Sequence, residues 1–341
     1  MYMRKIILSV LLIFVVASVI AQPKKIAALK INTTIKLDGA LDERIWAQAA
    51  TATNFIQNSP QLGAPSSEPT KVSILYDDQA IYVGAYLYGK PENIRKQLTA
   101  RDGEQRKDVD YFAVFFDTYN DDQNAVQFLV TTRNVQSDAR LLPNLTSQFG
   151  PPSDYSWDAV WESKVQMHAD GWSVEMKIPY SALRFSKKEI QDWGVNFERY
   201  DRGSNENGYW NKIDPNQNGF VNQFGDVTGL QNIEPPLRLS LLPYVSAGSR
   251  SVPYANGITN KNFLRSGGMD VKYGVNESFT LDATLIPDFG QVVSDNVVLN
   301  LTPYEVQFQE NRPFFTEGIE LFNKSALFYS RRIGATPSGY Y

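Results

Sequence analysis

The chain of 341 residues contains no cysteine and a single histidine, His168. Without cysteine it can form no disulfide, no thiolate metal site and no cysteine nucleophile, so core packing has to hold the fold together. Zinc sites built from several histidines are excluded as well. A Ser-His-Asp triad would have to use His168, which the sequence places beside a hairpin turn on a solvated surface. These absences argue against the common nucleophilic and zinc-dependent mechanisms.

An excess of positive charge is also absent. With 33 basic and 37 acidic residues the formal net charge is −4, which argues against a nucleic-acid partner. No glycine-rich phosphate loop precedes a helical pattern. Carboxylates for glycoside hydrolysis are available, but nothing singles out one pair. We therefore expect a binding protein, with O-glycosyl hydrolysis by such a pair as the enzymatic alternative.

A long apolar run lies at the N-terminus. A short basic start precedes the apolar residues 6–20, which Ala21 and Gln22 follow. This order is typical of a secretory signal peptide, so we expect residues 1–21 to be removed. An uncleaved anchor is the alternative, although the run is short for a membrane-spanning helix, and the lack of a nearby cysteine excludes a lipoprotein. The protein is therefore expected to be exported to the periplasm, outer membrane or cell surface of a Gram-negative envelope.

Residues 22–232 contain many short apolar segments with a two-residue period and almost no helical pattern. This series predicts an all-β fold, an antiparallel β-sandwich. Trp161 and Trp172 fall in strand register, so we expect both in the core. The clearest segments are two hairpins, residues 71–76 with 81–87 and residues 161–167 with 172–178, and between them the apolar strands at residues 110–117 and 125–131.

The sequence changes character after Glu234-Pro235-Pro236. Residues 233–341 contain segments of roughly ten residues in which apolar and polar residues alternate, such as 269–273 and 279–285. This pattern predicts β-strands resembling the first part of an outer-membrane barrel, with a second soluble β domain as the alternative. The visible strands are too few to close a barrel. Either the chain is part of a longer barrel protein, or this region packs on something else.

Aromatic residues make up 13% of the chain, which favours either sugar stacking or an interface girdle in a membrane. Trp157 ends a polar loop between Tyr155 and Asp158, and is the first candidate for stacking on a sugar ring. Trp210 follows the polar residues 201–208 and is the second. Packing inside the protein is the alternative for each tryptophan.

Arg101 and Asp102 stand in a polar loop before the central strands. A guanidinium group offers a planar fork of donors and a carboxylate offers a pair of acceptors, which suits the vicinal hydroxyls of a sugar. A plain surface ion pair is the alternative. We expect these two residues to contribute to the ligand site together with Tyr155, Trp157 and Asp158.

The turn after residue 116 is crowded with hard oxygen ligands. Asp117, Asn120, Asp121 and Asp122 lie within six positions and could hold a structural Ca²⁺ ion. The spacing is not that of an EF-hand. A hairpin turn stabilised by Asp and Asn side chains is the favoured alternative.

Four segments resemble the family 9 carbohydrate-binding modules, over about residues 28–232. They are residues 35–46 (IKLDGALDERIW), 76–83 (YDDQAIYV), 110–117 (DYFAVFFD) and 170–179 (DGWSVEMKIP). The resemblance implies a sandwich that binds sugars, typically chain ends, between two aromatic side chains, with bound calcium as a structural aid. It also implies a role in capturing oligo- or polysaccharide for degradation or uptake.

The second part resembles an uncharacterised family of envelope proteins that join such a module to an outer-membrane β-barrel. The likeness rests on residues 287–291 (PDFGQ), 310–318 (ENRPFFTEG) and 327–334 (LFYSRRIG). It implies an outer-membrane location and a chain that continues past Tyr341. A structural or plug domain with a degenerate ligand site is the alternative function.

Overall fold

The structure is a computed structural model, and it describes residues 23–105, 107–143, 151–155, 157–253, 259–275, 279–285, 299, 306–308, 310, 313–316 and 328–332. The predicted signal peptide at residues 1–21 lies outside this part, as do residues 287–291, 311–312, 317–318, 327 and 333–334 of the segments that carry the second resemblance.

Eighteen β-strands form the described part of the chain, with short helical turns at Trp46–Gln48, Tyr180–Ala182, Val221–Gln223, Pro313–Thr316 and Ser330–Arg332. The strands are β1 (Lys25–Ala27), β2 (Leu29–Lys30), β3 (Thr51–Ala52), β4 (Ile56–Ser59), β5 (Thr70–Tyr76), β6 (Ala80–Tyr88), β7 (Tyr111–Asp117), β8 (Ala125–Thr131), β9 (Gln136–Leu141), β10 (Ser153–Asp154), β11 (Glu162–His168), β12 (Gly171–Pro179), β13 (Trp193–Asp201), β14 (Glu206–Tyr209), β15 (Gly225–Thr228), β16 (Leu239–Pro253), β17 (Thr259–Gly274) and β18 (Thr280–Leu285).

The first fifteen strands form a sandwich of two sheets. The nine-stranded sheet has the order β1-β15-β13-β7-β8-β9-β10, with β14 on β13 and β4 on β14. The six-stranded sheet has the order β11-β12-β6-β5-β2, with β3 on β5. All pairs are antiparallel except β1 with β15 and β2 with β5. The predicted all-β sandwich is confirmed, including both hairpins, β5/β6 and β11/β12.

The core lies between the two sheets because alternate residues of each strand face inward. Phe112, Val114 and Phe116 of β7 share one apolar cluster with residues of β5, β6 and β12. Trp161 and Trp172 are both buried in it, as predicted from their register. This packing gives the loops at the sandwich ends a rigid base.

Residues 38–46 cover the outer face of the six-stranded sheet. The buried carboxylate of Glu175 accepts hydrogen bonds from the backbone N–H groups of Asp38 (2.9 Å) and Gly39 (2.7 Å) and from Trp46 Nε1 (3.2 Å). Gly84 lies beneath this segment, where a Cβ atom would come within 2.5 Å of Leu41. Two of the segments that carry the family resemblance therefore meet in a structural contact.

Strands β16 to β18 form a separate three-stranded antiparallel sheet. Leu239 pairs with Tyr273 and Tyr273 with Leu281, so these side chains share one face, and all three are exposed. The opposite face carries Ser240 and Lys272. The predicted alternation of apolar and polar residues is therefore present in the strands. No helix in the described ranges has both the length and the apolar character needed to cross a membrane.

Candidate functional site

A buried carboxylate organises one end of the sandwich. Asp138 lies in β9 opposite Phe128 of β8, so its side chain faces the core, and it is 0% exposed. Its Oδ1 accepts hydrogen bonds from Arg101 Nη2 and Trp161 Nε1 (3.3 Å), and its Oδ2 accepts one from the backbone N–H of Ala159 (2.5 Å). Two segments far apart in sequence thus meet on one side chain.

Burial raises the pKa of Asp138 above its ordinary value, because an apolar environment disfavours the charged form. The hydrogen bond from Ala159 and the positive charge of Arg101 act in the opposite direction. A buried carboxylate with three donors is a costly arrangement to break, since removal of one partner leaves the other groups unsatisfied.

Arg101 extends from this buried anchor to the surface. Its guanidinium group donates to Asp138, to Gln136 Oε1 (3.2 Å) and to the backbone carbonyl of Ala159 (3.1 Å), while its side chain remains 40% exposed. Arg101 Nε lies 3.6 Å from Asp158 and 3.8 Å from Asp102. The structure therefore brings together three of the residues predicted from sequence.

Asp102 supports the same arrangement from the backbone side. It has a positive φ of 55°, a conformation that Asp tolerates better than most residues, and its Oδ1 accepts the backbone N–H of Asp138 at 3.1 Å. Its role is therefore to join the loop at residue 101 to strand β9. Asp158 is 79% exposed and remains accessible to a ligand.

Trp157, the first candidate for stacking on a sugar, stands at the edge of the core. Its indole ring packs edge-to-face on Phe128, with 6.0 Å between ring centroids, and the side chain is half-buried. Trp157, Asp158 and Val160 line a cleft of about 460 Å³, and residues 237–240, Lys272, Gly274 and Thr280 of the three-stranded sheet and the segment before it line the same cleft. Val160 is 87% exposed, although it lies between the buried Ala159 and Trp161.

Tyr119 is a second aromatic residue in the same cleft, and the sequence argument missed it. It is 38% exposed and belongs to the acidic turn that follows β7. An aromatic residue inside a turn of Asp and Asn was the available signal, because nothing in such a turn gives it a core to enter. Arg140 and Arg184 add cationic side chains to the lining.

Trp210 is not part of this site, which corrects the prediction made for it. It is only 3% exposed and packs in the core against Phe197, with 5.4 Å between ring centroids. The polar residues before it form the β13/β14 hairpin, so they indicate a turn and not a ligand loop. A side chain enclosed in this way offers no face to a sugar.

Tyr155 has different neighbours from Trp157. Burial raises its pKa, and the charge of Glu104 and hydrogen bonds with Gln105 and Ser153 also act on it. The same group of interacting side chains includes the buried Glu198, whose pKa burial raises to about 7. Tyr155 therefore belongs to a buried polar cluster and is not among the side chains that line the cleft.

The predicted calcium loop uses its carboxylates internally. Asp117 is buried and accepts the backbone N–H groups of Tyr119 (3.2 Å) and Asp122 (2.9 Å), while Asp121 accepts those of Gln123 and Asn124 (both 2.8 Å). Asn120 and Asp122 have positive φ values. This is the alternative of a side-chain-stabilised turn. Within the described ranges no group of three or more acidic or histidine side chains is arranged to hold a metal ion.

His168 is held by packing at the end of β11. Its ring stacks on Tyr86 at 5.0 Å between centroids, and its Nε2 lies 2.6 Å from Ser173 Oγ. The Ser173 hydroxyl is fully buried and donates to the carbonyl of Gly39. A substrate has no access to this serine, so the His–Ser contact is structural.

Two family models match the chain. The carbohydrate family 9 binding domain-like model covers residues 37–231, and a domain of unknown function, DUF5916, covers residues 235–341. No curated protein matches the sequence.

Three similar solved structures are two forms of a family 9 carbohydrate-binding module from Caldicellulosiruptor kristjanssonii and a putative carbohydrate-binding protein from Bacteroides uniformis. The module in complex with cellotriose is 19% identical, with a TM-score of 0.41, over 60% of this chain and 93% of the other. The module in complex with glucose is 19% identical, with a TM-score of 0.42, over 62% and 100%. The third protein is 12% identical, with a TM-score of 0.46, over 61% and 99%.

The match to the family model covers more than half of the 341 residues. It includes Asp138 and both segments that contact it, residues 101–102 and residues 157–161. The chain therefore belongs to the carbohydrate family 9 binding domain-like family.

Proposed function

We propose that the sandwich is a non-catalytic module that binds oligo- or polysaccharide in the cleft beside Trp157. The observation that carries this proposal is the convergence of Trp157, Asp158 and Tyr119 on one cleft of about 460 Å³, a volume usual for ligand sites. Membership of the family supports the choice of ligand class.

The chemistry of the lining suits a sugar ring. Such a ring has apolar C–H faces, which pack on aromatic side chains, and hydroxyl edges, which need donors and acceptors. Trp157 and Tyr119 supply aromatic surface, and Asp158 supplies acceptors. Arg101 does not itself line the cleft; it contacts Asp158 and the backbone carbonyl of Ala159, and both of these residues do. Its guanidinium group therefore fixes part of the lining without belonging to it.

The direct test is glycan-array binding by the full chain in detergent, followed by titration calorimetry with each glycan that binds. Trp157→Ala and Tyr119→Ala are each expected to weaken binding at least tenfold, because stacking contributes about 0.5–1.5 kcal/mol beyond the apolar area that it buries, and that burial adds about 25 cal/mol per Å². Phe263→Ala is the matched control, since Phe263 is 74% exposed on the separate three-stranded sheet and does not line the cleft. Absence of binding to any glycan, or equal affinity of all four proteins, would contradict the proposal.

We further propose that the module captures carbohydrate for degradation or uptake and does not hydrolyse it. The only histidine is engaged with a buried serine, and Asp158 is the one carboxylate among the described residues that line the cleft, whereas glycoside hydrolysis usually needs a pair. Incubation of the purified protein with xylan and cellulose should release no sugar. Release of reducing ends would instead assign hydrolase activity to this chain.

The three-stranded sheet supports a second part of the proposal, an outer-membrane location. Leu241, Val245 and Leu281 are exposed on its apolar face, and exposed apolar surface on long strands is typical of strands that face lipid. We propose that this sheet contributes to a barrel wall after export of the protein. Membrane fractionation of a Gram-negative host should place the full-length protein in the outer membrane, and recovery from the soluble periplasm without detergent would contradict this.

A structural or plug domain with a degenerate site is the competing function. The burial of Trp210 in the core favours a structural or plug domain, because one of the two predicted stacking residues is then unavailable to a sugar. Tyr119 favours sugar binding, because it restores a second aromatic residue in the cleft. The Tyr119→Ala titration therefore separates the two functions.

A further inference from the structure

The segment that carries Trp157 is held by both backbone polar groups of one residue, Ala159. The backbone N–H of Ala159 donates to Asp138 Oδ2, and its carbonyl accepts from Arg101 Nη2. Asp138 and Arg101 are themselves ion-paired, so the three groups close a ring of contacts. Trp157 lies two residues before Ala159. Asp158 and Val160, the residues on either side of Ala159, are exposed and line the cleft.

Asp138 also holds the loop that contains Arg101 and Asp102. Arg101 and Asp102 belong to a loop 36 to 37 residues away in sequence, and they contact Asp138 through its side chain and its backbone N–H respectively. Trp161 Nε1 donates to Asp138 as well. The position of every polar group in the cluster therefore depends on one residue that no solvent-borne ligand can touch, since Asp138 is fully buried.

We propose that Asp138 is the positioning residue of the carbohydrate site, holding Arg101 and residues 157–161 in the arrangement that accepts a sugar. This inference rests on the proposed function and identifies a determinant of affinity outside the binding surface. Asp138 acts through Arg101 and through the peptide at Ala159 and makes no contact with the ligand.

Glu175 provides an unusually close control. It too is a buried carboxylate that accepts an indole N–H on one oxygen, from Trp46, and backbone N–H groups on the other, from Asp38 and Gly39. In both residues a change of carboxylate to amide must place an NH₂ group against an existing donor. A purely structural role for Asp138 would make Asp138→Asn and Glu175→Gln equivalent.

The first measurement is titration calorimetry with cellotriose, xylotriose and maltotriose, at a temperature where each variant is folded by near-ultraviolet circular dichroism. Asp138→Asn should weaken the affinity of the wild type for the trisaccharide that it binds by about tenfold or more, whereas Glu175→Gln should change it less than about twofold. Arg101→Ala combined with Asp138→Asn should lose little more affinity than the larger single change, because the two residues act as one unit. Equal affinity of Asp138→Asn and Glu175→Gln would overturn the proposal.

The second measurement is amide hydrogen exchange, which reports on positioning without any ligand. Exchange in the peptide covering residues 157–161 should accelerate at least tenfold in Asp138→Asn and remain unchanged in Glu175→Gln, since only Asp138→Asn places an NH₂ group against the Ala159 N–H or against Arg101 and Trp161, which hold this segment. Unchanged exchange in Asp138→Asn would overturn the positioning role. If the wild type binds none of the trisaccharides while exchange accelerates as expected, the proposed function fails and the positioning of residues 157–161 stands.

Discussion

Two regions of the molecule each contain a buried carboxylate that joins a loop to the sandwich. Only one of these carboxylates, Asp138, lies next to accessible side chains. Glu175 binds residues 38–46 to the six-stranded sheet, where the neighbouring Trp46 is itself buried. Asp138 binds residues 101 and 159, and its neighbours Asp158 and Val160 are largely exposed. The hydrogen bonds are alike, but the surroundings are not.

This difference shows that a satisfied buried charge does not by itself mark a functional site. A buried carboxylate with three donors stabilises whatever it connects. A functional role follows only when the connected segment also presents solvent-accessible aromatic and polar side chains to a cleft, as Trp157 and Asp158 do. Substitution of Glu175 should therefore lower stability without changing sugar affinity, whereas substitution of Asp138 should lower both.

The largest effect on stability is expected where an aromatic side chain is fully enclosed. Trp210→Ala should lower the free energy of unfolding by about 3–5 kcal/mol, because it leaves a large cavity next to Phe197. Trp157→Ala should cost roughly 1–2 kcal/mol, since part of its ring already faces solvent. Urea denaturation of both variants provides the comparison, and similar losses would show that the two tryptophans are equally buried.

A third buried carboxylate, Glu198, extends the comparison, because the side chains that donate hydrogen bonds to it carry no positive charge. Burial raises its pKa to about 7, and Tyr111 donates to it at 3.1 Å. Since the folded state holds the proton more tightly than the unfolded chain, its stabilising contribution is complete below about pH 4 and is lost as the pH rises through about 7. The free energy of unfolding should fall over this range, by an amount on the order of 2–3 kcal/mol from Glu198.

Glu198→Gln is the corresponding variant, and it should be more stable than the wild type at pH 8 and show a smaller slope between pH 4 and pH 8. The slope that remains is expected from Asp110, whose pKa burial also raises to about 7. Urea titrations at several pH values measure both slopes. Identical pH profiles for the variant and the wild type would show that Glu198 is ionised in the folded protein.

A smaller loss of stability is expected at Glu175. Glu175→Gln should lower the free energy of unfolding by about 1–3 kcal/mol, because the amide cannot accept from Asp38, Gly39 and Trp46 together. Thermal denaturation followed by circular dichroism measures this loss. A loss of sugar affinity in the folded variant would break the separation between the two regions.

The smallest effect concerns calcium. The carboxylates of Asp117 and Asp121 already accept backbone N–H groups of their own turn, so added Ca²⁺ should raise Tm by less than about 1 °C. Differential scanning calorimetry with millimolar CaCl₂ and with EDTA is the measurement. An increase of several degrees would establish the predicted calcium site and require the turn to rearrange.

Much of the fold follows from local patterns. The two hairpins and the burial of Trp161 and Trp172 follow from the two-residue period and from the Asp170-Gly171 turn, because register alone decides which face is buried. The nearness of Arg101 to Asp158 was expected only from their polar loops. Their actual link, Asp138, depends on contacts 21 and 37 residues apart, which no local pattern encodes.

One signal in the sequence, at Asp138, was overlooked, and another, at Trp210, was misinterpreted. Asp138 follows Gln136 at a two-residue interval and precedes Arg140, so polar residues occupy alternate positions of β9 that a core strand would fill with apolar ones. Trp210 follows a polar run that resembles a loop but forms the β13/β14 hairpin. In both cases tertiary packing, and not the local composition, decides the role.

The most direct test of carbohydrate binding in the cleft is the affinity of the full chain for the glycan that it binds best, measured beside that of Trp157→Ala under conditions where both are folded. We predict measurable binding by the wild type and a loss of at least tenfold in Trp157→Ala, with no change in Phe263→Ala. Binding that survives in Trp157→Ala, or no binding of any glycan by the wild type, would contradict the assignment of the cleft beside Trp157 as a carbohydrate site.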